Sequence, residues 1–431
     1  MLEVIGVGSI DDLFAPIPEA LRLGRPLQLP DALDERALLR HMGRLAAMNA
    51  TMDTHVCFLG AGIYDHFVPA VVDAMVSRGE FLTSYTPYQP EMSQGMLQAI
   101  YEFQSMVATL TGMELANASM YDAATAMAEA CLMACDAKGR PAVAVSRLVH
   151  PHYRQVLATY AEASGLKVQD LPHANGGTRM PDPGSELAAV VVQNPNFVGC
   201  IEDLAAARAA ADACDAMLVV VADPVALAVL KPPGEYGADI VVGEGQGLGC
   251  SPGFGGPLLG FFATKQDLAR RMPGRIVGAT KDLDGRRAYT MTLRTREQDI
   301  RREKATSNIC TNETLLALAA SVYMAALGPE GLREVAAGCV LNAHRMAEAL
   351  VGVGARVVFD RPYFKEVAVR LPGSLRIEEL NRRLLDRGFL GGYDLGRDDE
   401  EMDGCWLVCA TENRTQEEID GFAKAVGEVT R

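Results

Sequence analysis

The stretch GADIVVGEGQGLGCSPGFGGPLLG, residues 237–260, lies at the centre of the predicted fold. Residues 238–242 read as a short apolar strand, seven glycines fill the turn at residues 243–256, and a second apolar run covers residues 258–263. A glycine-rich turn after a strand often lines a ligand site in an α/β protein. Neither GxGxxG nor GxxxxGK can be placed in it, which argues against a dinucleotide or nucleoside triphosphate site. A structural hairpin between two buried strands fits the same pattern.

Apolar strands alternate with helical patterns through the middle of the chain. The predicted strands are residues 142–145, 167–169, 188–192, 216–221 and 238–242, and the predicted helices are residues 121–135, 153–163 and 201–212. Near-continuous apolar strands separated by helices predict an α/β fold whose mostly parallel sheet is covered on both faces. Ligand sites in such sheets gather at the carboxyl ends of the strands.

Polar side chains follow three of these strands. They are His150 and His152, Asn194 and Asn196, and Asp223, each beside a proline. Because the ends of parallel strands meet at one edge of the sheet, these residues are candidates for one shared site. The two histidines suit zinc, but the spacing suggests no third ligand, so no metal is expected. Asn-Pro and Asp-Pro pairs also begin ordinary turns, which leaves a structural role open.

The most distinctive polar segment is SYTPYQPEMSQG, residues 84–95, which we call the proline loop. Its prolines favour an extended backbone, and two tyrosines, a glutamine and a glutamate are spaced along it. Ser93 is a suitable N-cap for the helix predicted to follow, which Gly112 ends. The proline loop either presents side chains to a site or is a surface turn.

The chain divides into three predicted parts. Residues 1–55 form an N-terminal arm that is broken by prolines, residues 56–328 form a large αβα domain, and residues 329–431 form a small α+β domain. A long helical region is predicted at residues 312–349, with a break near Gly328. The arm and the uncharged run at residues 315–327 have no obvious cover of their own, which is typical of permanent complexes.

Composition excludes several classes of function. The net charge is −15 and no basic block occurs, which argues against nucleic acid and anionic membrane surfaces. Ten scattered cysteines without a CxxC motif indicate reduced thiols, and the first residues lack a basic signal region. The longest uncharged apolar stretch, residues 315–328, is too short to span a bilayer. We therefore expect a cytoplasmic protein.

Three segments together resemble the glycine decarboxylase (P-protein) family of the glycine cleavage system. They are the proline loop with the helix after it, the glycine-rich turn, and IRREKATSNICTNE at residues 300–313. At 431 residues the chain resembles the N-terminal, alpha subunit of the split form of that enzyme. The resemblance implies the aspartate-aminotransferase-like fold of pyridoxal-phosphate enzymes (fold type I), with a large αβα domain and a small C-terminal α+β domain.

The resemblance fails at the covalent anchor of the cofactor. Gly247 stands where active members carry the lysine that binds pyridoxal phosphate, and Gln246 stands where they carry a histidine. A glycine can neither form that bond nor transfer a proton. Ala123 replaces a common glycine in the turn that would hold the phosphate. The remaining implied positions are His150 near the ring-stacking position, Asn194 at the phenolic oxygen and Asp223 at the pyridine nitrogen.

The resemblance therefore implies a subunit that binds no cofactor and works with a partner. The partner would be a homologous, lysine-bearing subunit with pyridoxal phosphate, in an α2β2 complex that acts on glycine and on the lipoyl H-protein. The proline loop would reach the partner's site, with Glu91 orienting it; the residues contributed are Tyr85, Thr86, Tyr88, Gln89, Glu91 and Ser93. Two alternatives are a free-standing enzyme with a displaced lysine, Lys265 or Lys281, and a silent regulatory or scaffold protein.

Overall fold

A computed structural model describes residues 1–430, which fall into two compact units. The first unit is Met1–Ala50, and the second begins at Thr51. In the first unit, Asp34 caps the helix Glu35–Ala46 by accepting a hydrogen bond from Ala37 N at 2.7 Å. None of the residues of this helix is buried. The second unit contains both the main sheet and the C-terminal sheet.

The helices and strands of the described residues are numbered in chain order. The α-helices are α1 (Leu2–Ile5), α2 (Glu35–Ala46), α3 (Ala70–Val76), α4 (Gly79–Leu82), α5 (Gln94–Thr111), α6 (Ala123–Lys138), α7 (Pro151–Ser164), α8 (Leu204–Ala213), α9 (Gln298–Arg301), α10 (Thr314–Gly352), α11 (Ile377–Leu385) and α12 (Gln416–Val429). The strands are β1 (Val56–Cys57), β2 (Leu115–Ala116), β3 (Ala142–Ser146), β4 (Lys167–Leu171), β5 (His173–Ala174), β6 (Gly177–Thr178), β7 (Ala189–Asn194), β8 (Met217–Ala222), β9 (Ile240–Glu244), β10 (Gly260–Thr264), β11 (Ile276–Lys281), β12 (Arg287–Thr292), β13 (Arg356–Val357), β14 (Glu366–Arg370), β15 (Phe389–Leu390), β16 (Tyr393–Asp394) and β17 (Cys405–Cys409).

The main sheet has seven strands in the order β2-β10-β9-β8-β7-β3-β4. Strands β9, β8, β7, β3 and β4 are parallel, whereas β10 and β2 pair antiparallel at one edge. Val190 and Val192 face one core and Val191 faces the other, because side chains alternate along a strand. Helices pack on both faces, so the predicted αβα layers and mostly parallel sheet are confirmed.

Local sequence signals set the helix ends near the sheet. Asp122 and Thr125 form a capping box at the start of α6, and Asp203 caps α8. Gly112 ends α5 in the left-handed conformation at φ 69°. Ser93 does precede α5, but its side chain makes no capping hydrogen bond, which corrects the expected cap.

The C-terminal part forms a four-stranded antiparallel sheet, β13-β14-β17-β16, as predicted for the small α+β domain. Helices α11, α12 and the end of α10 pack on it around Trp406 and Phe422. Phe58 stacks on Phe422 with ring centroids 3.9 Å apart, and β1 pairs in parallel with β15. Residues 56–58 therefore pack with the C-terminal part, although they were predicted to begin the large domain.

Helix α10 differs in one respect from the prediction. The break falls at Gly328, whose backbone is not helical, as expected. However, Leu318, Ala320 and Tyr323 are buried against the chain's own helices, including α3 and α5, so residues 315–327 are not an uncovered surface. By length and composition α10 could cross a membrane, but the core helix of a globular protein passes the same test.

Candidate functional site

A small pocket lies at the carboxyl ends of β7, β8 and β9, where the sequence predicted a site. We call it the sheet-end pocket; its walls include Tyr64, His150, Asp223, Glu244, Gly247, Lys365 and Glu366. Asp223 directly follows β8 and Glu244 is the last residue of β9, while Lys365 directly precedes β14 of the C-terminal sheet and Glu366 begins it. The pocket therefore joins the large sheet to the C-terminal sheet.

Asp223 forms a buried ion pair with Lys365. Lys365 Nζ lies 2.7 Å from Asp223 Oδ2, and Asp223 Oδ1 accepts from Val225 N at 2.9 Å. Burial by itself raises the pKa of Asp223, but the charge and hydrogen bond of Lys365 outweigh it and hold that pKa below its usual value. Burial lowers the pKa of Lys365, but the charge of Asp223 raises it, and the net shift is upward. Both groups are therefore charged at neutral pH.

A chain of hydrogen bonds extends this ion pair. Lys365 Nζ donates to His66 Nε2 at 3.1 Å, and the ammonium lies 3.4 Å from the centre of the Tyr64 ring. Since His66 Nε2 accepts, the proton on Nδ1 is donated to Glu412 Oε2 at 2.7 Å. Lys365 is thus held between two acceptors and an aromatic face, with no free donor directed into the pocket.

Glu244 is a second acidic side chain of the sheet-end pocket. Glu244 Oε2 accepts from Ala123 N at 3.1 Å, and Oε1 accepts from Leu259 N at 2.8 Å and Gln246 N at 3.1 Å. Ala123 is the first residue of α6, so this carboxylate lies at the positive end of a helix. Burial nevertheless raises the pKa of Glu244 to about 7.

Glu366 closes the pocket from the C-terminal side. Glu366 Oε1 accepts from Ala61 N at 2.6 Å, and Oε2 accepts from the Tyr64 hydroxyl at 2.8 Å. Burial raises the pKa of Glu366 to about 7 in spite of these hydrogen bonds. The group therefore titrates near neutral pH, unlike Asp223.

The other residues expected at the cofactor site, His150 and Asn194, also form hydrogen bonds within the chain. His150 donates from Nε2 to Ala61 O at 3.0 Å and stacks on Tyr153 at 4.5 Å, and burial lowers its pKa to about 4. Its second nitrogen accepts from the backbone of His152, which fixes the neutral ring. Asn194 Oδ1 accepts from Glu202 N at 3.0 Å. The structure thus brings His150 and Asp223 to one pocket. Asn194 does not line the pocket, although its neighbours Gln193 and Pro195 do. All three expected residues have hydrogen-bond partners within the fold.

Gly247 faces the same pocket, and neither proposed displaced lysine does. A Cβ atom at Gly247 would lie 3.1 Å from His66 Cδ2. Lys265 pairs with Asp239 at the amino end of β9, away from the pocket, and Lys281 is exposed at the end of β11. The hypothesis of a displaced Lys265 or Lys281 is therefore wrong on geometry.

The described residues do not fit pyridoxal phosphate as they stand. Asp223 and the amide of Ala123, the expected partners of the ring nitrogen and the phosphate, already bind Lys365 and Glu244.

The proline loop is exposed at its tip and supported from below. Tyr85 and Tyr88 are 84% and 47% exposed, whereas Arg275 beneath them is 6% exposed. Arg275 donates to Thr86 Oγ1 at 3.2 Å and to the Tyr88 hydroxyl at 3.1 Å, and it also binds Cys310 O. One buried guanidinium therefore fixes two loop residues relative to the segment around Cys310.

The residues that hold the loop differ from those expected. Glu91 is exposed and makes no hydrogen bond or ion pair within residues 1–430, so it does not orient the loop in this chain. Gln94 does so instead, since its amide donates to Pro90 O at 2.7 Å and to Tyr289 O at 2.9 Å. Gln89 is exposed, and Ser93 is half-buried.

Two clusters have residue types that bind metals, and a cation of the chain lies beside each. His66, Cys339 and Glu412 lie together next to Lys365, while His173, Asp399 and Glu401 lie together. Arg147 bridges Asp399 at 2.7 Å and Glu401 at 3.2 Å. His150 and His152, the pair considered for zinc, belong to neither cluster.

Sequence reasoning missed Lys365, Glu244, Glu366 and Arg275. Lys365 and Glu366 are two charges at the start of the apolar strand pattern FKEVAV, and Glu244 is the one charge inside the glycine-rich turn. A charge in an otherwise buried strand is uncommon unless it is paired, and this signal marks all three. Arg275 offers no such signal, because it lies in an ordinary loop.

Comparisons with known proteins agree on one family. Residues 1–426 match the family model of the glycine cleavage system P-protein. A protein of Anoxybacillus flavithermus named "Probable glycine dehydrogenase (decarboxylating) subunit 1" is 50% identical, over 99% of this chain and 96% of the relative. A protein of the same name from Moorella thermoacetica is also 50% identical, with the same coverage.

Solved structures support the same assignment. A crystal structure of glycine decarboxylase (P-protein) of the glycine cleavage system, in inhibitor-bound form, matches with a TM-score of 0.93 and 50% identity, over 100% of this chain and 97% of that chain. A sphingosine-1-phosphate lyase of Burkholderia pseudomallei matches with a TM-score of 0.66 at 16% identity, over 96% of this chain and 94% of that chain. The second match concerns the fold alone, and with the first it confirms the aspartate-aminotransferase-like fold type I.

Proposed function

Because the chain belongs to the glycine cleavage system P-protein family, we propose that it is the subunit of a two-subunit glycine decarboxylase that binds no cofactor. The complete enzyme decarboxylates glycine and transfers the aminomethyl group to the lipoyl arm of the H-protein. A homologous, lysine-bearing subunit binds pyridoxal phosphate. One observation carries the proposal: Gly247 stands at the anchor position, and Lys365 is already paired with Asp223.

This chain contributes the proline loop to the site of its partner. In this fold, active sites lie near the subunit interface, and the loop combines exposed donors with a buried support. Tyr85, Tyr88 and Gln89 are exposed, and their hydroxyl and amide groups can donate to phosphate or carboxylate oxygens. Arg275 reduces the freedom of Thr86 and Tyr88 before a partner binds, which lowers the ordering cost of association.

The complex is an obligate assembly of the two kinds of subunit, as α2β2. The name "subunit 1" of the relatives belongs to a heteromeric protein, and the helix α2 of this chain carries exposed apolar side chains such as Leu39 and Met42. Apolar surfaces of this kind are typical of permanent interfaces. Ultracentrifugation of the co-expressed subunits is expected to give one heteromeric species, and separate monomers would contradict the proposal.

The test compares this chain, its partner and the complex in glycine–bicarbonate exchange with H-protein present. We expect exchange only from the complex. Borohydride treatment in the presence of pyridoxal phosphate, followed by peptide mapping, is expected to label one lysine of the partner and none of this chain. A stoichiometrically labelled lysine in this chain would overturn the assignment of the cofactor.

The same assay separates the scaffold alternative. If this chain were a silent scaffold, the partner alone would catalyse the exchange at the rate of the complex. We further propose a cytoplasmic location, which fractionation of cells that express both subunits would test. Recovery of the complex in the membrane or extracellular fraction would contradict it.

A further inference from the structure

Two charged side chains of the sheet-end pocket occupy the positions expected for the two ends of the cofactor. Lys365 binds Asp223, the expected partner of the ring nitrogen, and Glu244 binds the amide of Ala123, in the turn expected to hold the phosphate. We infer that Lys365 and Glu244 replace the cationic ring nitrogen and the anionic phosphate, and that they exclude pyridoxal phosphate independently of the missing lysine at position 247.

The replacement matches in charge as well as in position. The ammonium of Lys365 takes the position of a protonated ring nitrogen beside the carboxylate of Asp223. The carboxylate of Glu244 takes the position of a phosphate at the start of α6. Both oxygens of Asp223 and both oxygens of Glu244 already accept hydrogen bonds from the chain. The cofactor would have to displace these partners and leave Lys365 buried without its counter-charge, which is strongly unfavourable.

Lys365 cannot leave the pocket easily. It is 2% exposed, and its backbone directly precedes β14, with its carbonyl accepting from Ala410 N at 2.9 Å. Its ammonium is enclosed by Asp223, His66 and the ring of Tyr64. Withdrawal of this side chain would therefore require the start of β14 to move.

Restoring the anchor would not restore the site. A Cβ at Gly247 already lies 3.1 Å from His66, which itself accepts from Lys365. A lysine introduced at position 247 would bring a second ammonium into the same enclosed space as Lys365. Repulsion between the two like charges would oppose it.

This inference rests on the proposed function only for its premise that the cofactor belongs to the partner. The experiment measures cofactor binding by four full-length chains: the unchanged chain, Gly247→Lys, Lys365→Ala with Glu244→Ala, and all three substitutions together. Equilibrium dialysis against pyridoxal phosphate gives the affinity, and borohydride trapping with peptide mapping gives the covalent link. Circular dichroism and co-purification with the partner subunit check folding.

We expect no binding above background for the unchanged chain and for Gly247→Lys. The double variant is expected to bind at least about tenfold more tightly than the unchanged chain, and the triple variant is expected to be trapped at position 247. Stoichiometric binding by Gly247→Lys alone, or no gain in a folded double variant, overturns the inference. Binding by the unchanged chain would instead overturn the proposed function, so the two failures are distinguishable.

Single variants with two probes keep the test decisive if the double variant does not fold. Glu244→Ala is expected to increase affinity for pyridoxal phosphate but not for pyridoxal, which has no phosphate. Lys365→Ala, or the milder Lys365→Gln, is expected to increase affinity for both probes, because it frees Asp223. Equal gains for both probes in Glu244→Ala, or no gain for either probe, would show that Glu244 does not hold the place of the phosphate.

Discussion

The sheet-end pocket and the proline loop are both rich in polar side chains, but they use them in opposite ways. In the pocket, Asp223, Lys365 and Glu244 each bind a partner within the chain and are screened from solvent. In the proline loop, Tyr85 and Tyr88 are exposed, and the buried Arg275 beneath the loop binds Thr86 and Tyr88. Buried polar groups must be satisfied by the chain itself, whereas groups meant for a second molecule stay accessible. The polar groups of the sheet-end pocket are therefore satisfied within the chain, whereas those of the proline loop remain accessible to a second molecule.

Breaking the ion pair of the pocket is expected to have the largest effect. Lys365→Met leaves Asp223 buried without a counter-charge and should lower the free energy of unfolding by about 3–5 kcal/mol at pH 7. Urea unfolding of the full chain measures this. Adding Asp223→Asn to Lys365→Met should recover most of the loss, because the uncompensated charge is then gone.

A surface ion pair of the same chemistry provides the matched control. Lys138 Nζ lies 2.8 Å from Asp215 Oδ1, at nearly the same distance as the buried pair, but Asp215 is largely exposed. Lys138→Met should lower the free energy of unfolding by less than about 1 kcal/mol. Similar losses in Lys138→Met and Lys365→Met would mean that burial of the pocket pair does not increase its effect on the free energy of unfolding.

The pocket should also make stability depend on pH. The pKa of Glu366 is about 7 in the folded chain, against an ordinary value of 4.5. Because the folded state binds the proton more tightly, stability is highest below the unfolded pKa and falls as pH rises from about 4.5 to 7. The loss from this group is about 3 kcal/mol in total. Urea unfolding of Glu366→Gln should show a correspondingly flatter decline over this window, and an unchanged slope would contradict the assignment.

The two regions also differ in how far the sequence could predict them. Apolar runs in the sequence predicted β7, β8 and β9, because this signal is local in the chain. The ends of these runs placed Asn194 and Asp223 at one edge of the sheet. The partner of Asp223 was not predictable in this way. Lys365 comes from the C-terminal sheet, and only the packing of that sheet against the large one brings the two charges together.

The same limit applies to the proline loop. Its prolines and exposed tyrosines could be recognised from the sequence, and the capping potential of Ser93 suggested where α5 begins. The support of the loop comes from Arg275, which is remote in sequence. The side chain of Ser93 makes no cap, whereas Gln94, the next residue, binds Pro90 and the distant Tyr289. Local patterns therefore predict elements, whereas tertiary contacts decide which side chains are used.

Removing a donor from the presented surface should affect catalysis without affecting assembly. One hydrogen bond to a charged group is worth about 1.5–3 kcal/mol. Tyr88→Phe and Gln89→Ala should each lower kcat/KM of the complex by roughly ten- to a hundredfold in glycine–bicarbonate exchange. Gel filtration should show an intact complex. Unchanged kinetics in both variants would reduce the proline loop to a structural turn.

The smallest expected effect tests whether Arg275 positions the loop. Its guanidinium reaches Thr86 and Tyr88 from two nitrogens of one rigid planar group, a geometry that the compact ammonium of Arg275→Lys does not reproduce. We expect kcat/KM to fall by less than about tenfold, mainly through KM, since the loop remains present but is ordered only on binding. Arg287→Lys, an exposed arginine of the neighbouring strand β12, is the matched control and should leave kinetics unchanged.

A double-mutant cycle decides between positioning and mere folding. If Tyr88 and Arg275 act through their hydrogen bond, the combined variant Tyr88→Phe with Arg275→Lys should cost less than the sum of the two single losses. The side chain of Gln89 makes no hydrogen bond within residues 1–430, so the effect of Gln89→Ala should add to that of Arg275→Lys more nearly in full. Strict additivity between Tyr88 and Arg275, with an unchanged KM in Arg275→Lys, would mean that the buried arginine stabilises the fold and does not prepare the loop for the partner.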